Sequence, residues 1–229
     1  MYYSPLNLYK IKVFFEDLNK KDFKSTWVYQ KKIFYIIINI KIYNRFFKKI
    51  IKIVPNYLLF VEHNNVYTLG KIGSYKNLLL NNKNIIIYKI DRGGDITYHG
   101  PGQLVCYPIF DIINFSLDIN KYLRLIEEVI IQLIYNYCVK GYRIYHETGV
   151  WVYTRKICAI GIKVSRFVTM HGFALNVNTD LSYFKNIIPC GIKKSVTSLN
   201  VEKINHIDIF EVKLIFKNKI NFLFKIKFL

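Results

Sequence analysis

The sequence predicts a mixed α/β domain, α+β in character, with a largely antiparallel second half. Three observations carry this reading. A long amphipathic segment runs from Ser116 or Asp118 to Lys140. Four strand-like segments follow it closely between Arg143 and Val177. Ahead of it, one long helical stretch stands among several apolar strand-like ones. Strand, helix, several strands, helix and then a run of strands is an order that folds as a mixed sheet with helices against it.

The elements can be taken in turn. Residues 8–16 read as a strand, with Tyr9, Ile11 and Phe14 apolar. From about Lys24 to Lys52 the positions of Trp27, Ile33, Ile37, Ile40 and Phe46 suit a long helix, ended by Pro55. Tyr57 to Glu62 reads as a buried strand and Val66 to Gly70 follows it. Ile85 to Ile90 is another strand, feeding directly into a glycine-rich loop, and Val105 to Phe110 comes after that loop. The helix ending at Lys140 has a polar cap at its start. Its apolar residues are Tyr122, Leu123, Ile126, Val129, Ile130, Leu133, Ile134 and Tyr137, and Gly141 sits where a C-terminal cap is expected. The four strands beyond it are Arg143–Tyr145, Gly149–Tyr153, Lys156–Val164 and Val168–Val177. With no internal repeat and no Pro/Ser-rich linker, residues 1–229 read as one domain, with residues 200–229 open to forming a small C-terminal lobe.

Bulk properties narrow the class. A chain of 229 residues, 52% hydrophobic, buries a sizeable core and is not disordered. No secretory signal is visible, and the most apolar segment, Ile33 to Ile40, is too short to span a bilayer. Four cysteines without a CxxC pairing argue against a zinc site or a disulfide framework. A soluble, reduced, cytoplasmic protein with no membrane partner is expected.

The net charge is +19, yet it is uneven. Between Arg92 and Cys190 ten basic residues face seven acidic ones, so the excess sits in the flanks. Lysine supplies 28 of the 34 basic residues, and arginine, the better reader of bases, is scarce. Solvated lysine faces, or attraction to an acidic protein, explain this better than nucleic-acid binding.

Glycine and alanine mark the middle of the chain. Lys, Ile, Asn, Tyr and Phe dominate elsewhere, residues whose codons are almost wholly A and T. Under such a bias, small residues with G- or C-rich codons survive mainly where no larger side chain fits. All eleven glycines lie between Gly70 and Gly191, and the only alanines are Ala159 and Ala174.

Three stretches can carry chemistry. Residues 92–103, RGGDITYHGPGQ, hold four glycines with Arg92 and His99 beside them. Such a loop lets the backbone approach a ligand and present amides to an oxyanion, though a tight structural turn reads equally well. It matches neither the P-loop nor the dinucleotide pattern. In Pro189-Cys190-Gly191 the thiol is held on a bend between Pro and Gly, a placement that can expose it to a cleft, and a neighbouring positive charge would make it reactive. In the strand KICAIGIKV (156–164), Lys156 and Lys163 point to opposite faces, so one of them heads inward, at a cost unless paired or functional. Ala159 and Gly161 share a face, leaving room for something elongated against the backbone. The segment HGFALN (171–176) repeats this economy beside a histidine, whose simplest reading on its own is a satisfied core residue.

These blocks, with VTSL (196–199), VEHNNVYTLG (61–70) and ETGVWV (147–152), resemble the lipoyl(octanoyl) transferases, or octanoyl-[acyl-carrier-protein]:protein N-octanoyltransferases, over roughly residues 57–199. The resemblance implies the biotin/lipoate protein ligase-like fold, a mixed sheet with flanking helices. It implies an octanoyl group taken from octanoyl-acyl carrier protein as a cysteine thioester and passed to a lysine of a lipoyl domain, the first step of protein lipoylation. Acceptors would be lipoyl domains of 2-oxoacid dehydrogenase complexes or glycine cleavage H protein. Carried onto this chain, Cys190 is the nucleophile and Lys156 its partner. The substrate-binding residues are Arg92, Gly93, Gly94, Asp95, Ile96, Thr97, Tyr98 and His99, with Ala159, Ile160 and Gly161, and Gly172, Phe173 and Ala174. No metal, ATP or other cofactor is implied, no nucleic acid, and a monomer is expected. The alternatives are an ATP-dependent lipoate or biotin ligase of the same fold, which needs no nucleophilic cysteine, and a non-catalytic binding relative.

Overall fold

The computed structural model describes residues 10–48, 51–79, 86–188 and 195–229. Along the chain come β1 (Ile11–Lys20), α1 (Phe23–Phe46), β2 (Tyr57–Glu62), β3 (Val66–Leu69), β4 (Ile87–Lys89) and β5 (Ile96–His99). Next are β6 (Gln103–Ile109), α2 (Ile119–Tyr135), β7 (Tyr142–Ile144), β8 (Glu147–Val152), β9 (Arg155–Ser165) and β10 (Val168–Asn176). A short α3 (Leu199–Lys203), α4 (Ile209–Phe224) and β11 (Ile226–Phe228) close it.

Eight strands form the main sheet in the order β11-β1-β2-β6-β10-β9-β8-β7. The β1 pairings with β11 and β2 are parallel. From β2 to β7 every neighbour is antiparallel, as expected for the second half. A three-stranded sheet, β4-β3-β5, stands apart from it.

Side-chain alternation on the central strands builds two cores. Leu58, Phe60, Leu104, Cys106, Phe173 and Leu175 face α2 and α4. Their neighbours Leu59, Val61, Val105, Tyr107 and Ala174 face Ile33, Phe34 and Ile37 of α1. At these positions the central strands are therefore apolar on both faces. The C-terminal segment joins the same architecture: Val212, Phe216, Ile220 and Phe224 pack into the first core, and β11 extends the main sheet.

Aspartates start the three long helices. Asp22, Asp118 and Asp208 accept from the backbone N–H of Ser25, Lys121 and Phe210, each at 2.8 Å. The predicted N-terminal helix begins and ends earlier than expected. It stops at Phe46, where the Asn44 amide exchanges two hydrogen bonds with the Lys52 backbone and turns the chain well before Pro55. α2 likewise stops at Tyr135, so Gly141 is not its cap; a side chain there would run into Ile134 and Ile131. Inside the glycine-rich segment the structure has a strand, β5, where only a loop was expected.

Candidate active site

A slot of about 390 Å³ opens between the 92–97 loop and the β9/β10 face of the main sheet. Its floor comes from cross-strand register. Gly172 pairs with Gly161 and Ala174 with Ala159, so four small residues lie together on one face. The wall opposite is the glycine-rich loop, tied to the floor by the Gly93 N–H, which donates to the Ile162 carbonyl at 2.9 Å.

Small size at Gly172 is a packing necessity. A methyl group there would meet the Cys106 carbonyl oxygen and the Pro108 ring of the neighbouring strand. His171, just before it, holds φ at 62°, a left-handed conformation inside a strand. Its Nε2 lies 2.8 Å from Asp91 Oδ1, and Asp91 Oδ2 accepts from the Lys163 ammonium at 2.6 Å. The hydrogen bond from His171, with that from Lys163, holds the Asp91 carboxyl well below the usual carboxylate range, while burial pushes the His171 pKa down. Lys163 is thus a paired lysine.

Arg92 is buried and organises the wall. Its guanidinium donates to the carbonyls of Thr68 (2.7 Å), Gly93 (2.9 Å) and Asp95 (2.7 Å). A chain of buried hydrogen bonds continues from there. Gln103 Nε2 donates to Asn176 Oδ1 at 2.9 Å, so Gln103 Oε1 must accept, and its partner is His99 Nδ1 at 2.8 Å. Those bonds assign the proton of His99 to Nδ1 and leave Nε2 facing the Thr68 hydroxyl. Asn176 Nδ2 in turn donates to the Thr197 carbonyl at 2.9 Å. Thr68, His99, Gln103, Asn176 and Thr197 therefore form one directed relay from the slot wall to the chain beside Lys156. Burial lowers the His99 pKa to about 3 and that of neighbouring His63, bonded to Tyr107 and the Lys21 carbonyl, to about 4. Both rings are neutral.

Lys156 stands at the other end of β9, over Gly149. A side chain at Gly149, whose φ is 132°, would run into the Cys158 carbonyl, and the Lys156 stem lies in contact beside it. The Gly149 N–H is itself fixed by buried Glu127 at 3.0 Å. The Lys156 ammonium lies 4.7 Å from the centre of the Trp151 ring. Its backbone N–H donates to the Ser195 carbonyl and its carbonyl accepts from the Thr197 N–H, both at 3.0 Å. Pro189, Cys190 and Gly191 lie outside the described residues. The described chain reaches Ile188, which donates to the Asn77 carbonyl at 2.7 Å, and resumes at Ser195.

Of the residues singled out from sequence, Arg92, Gly93, Gly94, Asp95, Ile96, Thr97, His99, Lys156, Ala159, Ile160, Gly161, Gly172, Phe173 and Ala174 all line the slot. Tyr98 does not. It stacks on Tyr183 with ring centres 4.8 Å apart and donates to Asn65 Oδ1 at 2.8 Å. Cys106 and Cys158 are buried, and burial pushes both thiols up, which keeps them protonated. Sequence reasoning missed Phe23, Ile90, Val105 and Tyr107, which also line the slot. Nothing in their local pattern separates them from ordinary core. Gln103 and Asn176 lie inside the quoted motifs, and an amide directly after Gly102 or at the end of an apolar strand is the signal that marks them.

A long slot with a floor of small residues and a lysine at one end has the shape of a pocket for an elongated ligand. The family described as "Lipoyl protein ligase A/B catalytic domain" matches residues 36–221. A protein named octanoyltransferase from Flavobacterium psychrophilum is 58% identical over 198 residues, covering 82% of this chain and 85% of the relative. The chain belongs to the octanoyltransferase family of acyltransferases. Solved structures agree on the fold. A bipartite lipoate protein ligase from Thermoplasma acidophilum superposes with a TM-score of 0.69 at 14% identity, over 96% of this chain and 86% of its own. The biotin protein ligase of Aquifex aeolicus reaches 0.53 at 13% identity, over 93% and 70%.

Proposed function

We propose that the slot receives an octanoyl group from octanoyl-acyl carrier protein, that Cys190 carries it as a thioester, and that the acyl group passes to the ε-amine of a lysine on a lipoyl domain. The observation that supports this most is the pairing of Lys156, at the mouth of the slot, with residues 195–197, which follow Cys190 by only a few residues. A lysine ammonium near a thiol favours the thiolate.

The steps balance without another reagent. The thiolate adds to the carrier thioester, the tetrahedral intermediate expels the carrier thiolate, and that thiolate takes the proton Lys156 had gained from Cys190. The incoming amine then adds to the enzyme thioester, loses a proton through Lys156 and releases the thiolate. Burying the seven carbons beyond the carbonyl contributes roughly 5 kcal/mol. The donor arrives activated, so no ATP is consumed. Both partners are read as acidic proteins met by the basic flanks, and a cytoplasmic monomer completes the reading. Among the described residues no helix is long and apolar enough to cross a membrane.

Intact-mass measurement after incubation with octanoyl-acyl carrier protein tests it. One octanoyl adduct is expected on the unsubstituted protein and none on Cys190→Ala, while Lys156→Ala acylates slowly with its fold retained. An adduct that persists in Cys190→Ala rules out that nucleophile, and normal rates in Lys156→Ala remove the lysine from the mechanism.

A further inference from the structure

The two ends of the slot differ in access. At the Lys156 end, His146 is exposed and Glu147 and Thr148 are half-buried. At the other end the lining is closed: Phe23, Ile90, Val105 and Tyr107 are each 6% exposed or less. The slot therefore has a mouth and a blind end.

Register gives its length. Cys106 on β6 stands opposite Phe173, which places Tyr107 at the level of Gly172 and Gly161. Lys156 lies five residues before Gly161 on the same strand, at most about 16 Å away at the strand rise and less across the bulge beside Trp151. Its stem reaches back over Gly149, so the ammonium stands closer still to the floor. An acyl chain whose carbonyl reacts near Lys156 runs along the Ala159/Ala174 and Gly161/Gly172 floor. Its methyl end then meets the blind wall.

Phe23 closes that wall. It is the first residue of α1, fixed there because Asp22 caps the helix. Its ring stands parallel to His99 at 6.2 Å and packs against His63 and Tyr88, each at 5.3 Å. Behind it, then, is a ring cluster rather than solvent, so trimming Phe23 lengthens a closed slot instead of opening a second mouth.

We propose that Phe23 is the stop that sets the length of acyl chain this protein accepts. The inference rests on the acyl-transfer reading above and deepens it, assigning length selection to the start of α1, outside the motifs that carry the family resemblance.

The test compares octanoyl-, decanoyl- and dodecanoyl-acyl carrier protein as donors for the unsubstituted protein, Phe23→Leu and Phe23→Ala, reading kcat/KM by acyl adduct formation, with folding checked by circular dichroism. The decanoyl-to-octanoyl ratio is expected to rise about tenfold in Phe23→Ala, the gain from two more buried methylenes, and less in Phe23→Leu. Phe23→Leu keeps an apolar contact for the neighbouring rings and decides the matter if Phe23→Ala does not fold. A folded variant with an unchanged ratio, beside an unsubstituted protein that transfers octanoyl, overturns the stop alone. Absence of transfer from any donor by the unsubstituted protein overturns the acyl-transfer reading and the stop together.

Discussion

The slot and the C-terminal helix are built from the same residue alphabet under opposite rules. In α4 the buried face is Val212, Phe216, Ile220 and Phe224, repeating every four residues against the sheet. Each position asks only for an apolar side chain of roughly the right volume. In the slot, backbone approaches backbone. Gly172 faces the Cys106 carbonyl, and the polar relay through His99, Gln103 and Asn176 has a single consistent set of donors and acceptors. A chain drifting toward Ile, Lys and Phe can rewrite the first kind of region almost freely and the second hardly at all. If that contrast is correct, substitutions of equal size have very different effects in the two places.

The largest effect is expected from the smallest addition. Gly172→Ala places one methyl group against backbone and a proline ring in the central strands, where little can move. The destabilisation is expected at the upper end for overpacking, about 3 kcal/mol or more, with octanoyl transfer lost. Urea unfolding with an activity assay measures both, and a stable, active Gly172→Ala would break the contrast outright.

Acid sharpens it next. His63 and His99 are buried neutral beside the slot, whereas the C-terminal segment buries no titratable ring. Both folded pKa values lie below the unfolded value near 6.5, so the unfolded chain binds protons first as pH falls. Stability is complete above pH 6.5 and declines below it, by about 2 kcal/mol for each ring at pH 5. Denaturation curves at pH 7.5 and pH 5 measure the slope. His63→Gln, which retains a donor and an acceptor for the Lys21 carbonyl and Tyr107, is expected to reduce the loss at pH 5 by about 2 kcal/mol, leaving the shares of His99 and His171. An identical slope in that variant would show that other groups set the acid sensitivity.

The same contrast explains what was legible in the sequence. The order of strands and helices was legible because α2 announces its buried face by spacing and the central strands stand out as short apolar runs. The slot floor was legible because small residues stand out in a chain that otherwise lacks them, so Ala159, Gly161, Gly172 and Ala174 could be singled out before any register was known. Helix ends were less so, since the stop at Phe46 depends on the Asn44 amide finding Lys52. The blind end was not legible at all. Phe23 and Tyr107 are two aromatics among many, and only the fold brings residues 84 positions apart to one wall. Tyr98 shows the converse. Its place in a glycine-rich motif drew it to the site, but β5 is a strand, and Tyr98 packs instead among Tyr67, Tyr183 and Phe184.

The smallest effect is expected where the composition looks most extreme. Ile220 is fully buried in α4 and packs in the same core as Phe60 and Phe173, so it is as buried as Gly172's neighbours. Ile220→Val removes one methyl group and leaves helix propensity nearly unchanged. It is expected to cost about 1 kcal/mol, with octanoyl transfer and acyl-length preference unaltered. Burial alone would predict similar sensitivity at Ile220 and Gly172, because both sit in the packed interior. The contrast predicts instead that sensitivity follows the partner atom, a side chain that can relax in one case and a backbone carbonyl that cannot in the other. Thermal unfolding of Ile220→Val beside Gly172→Ala separates the two explanations, and equal losses in both would favour burial.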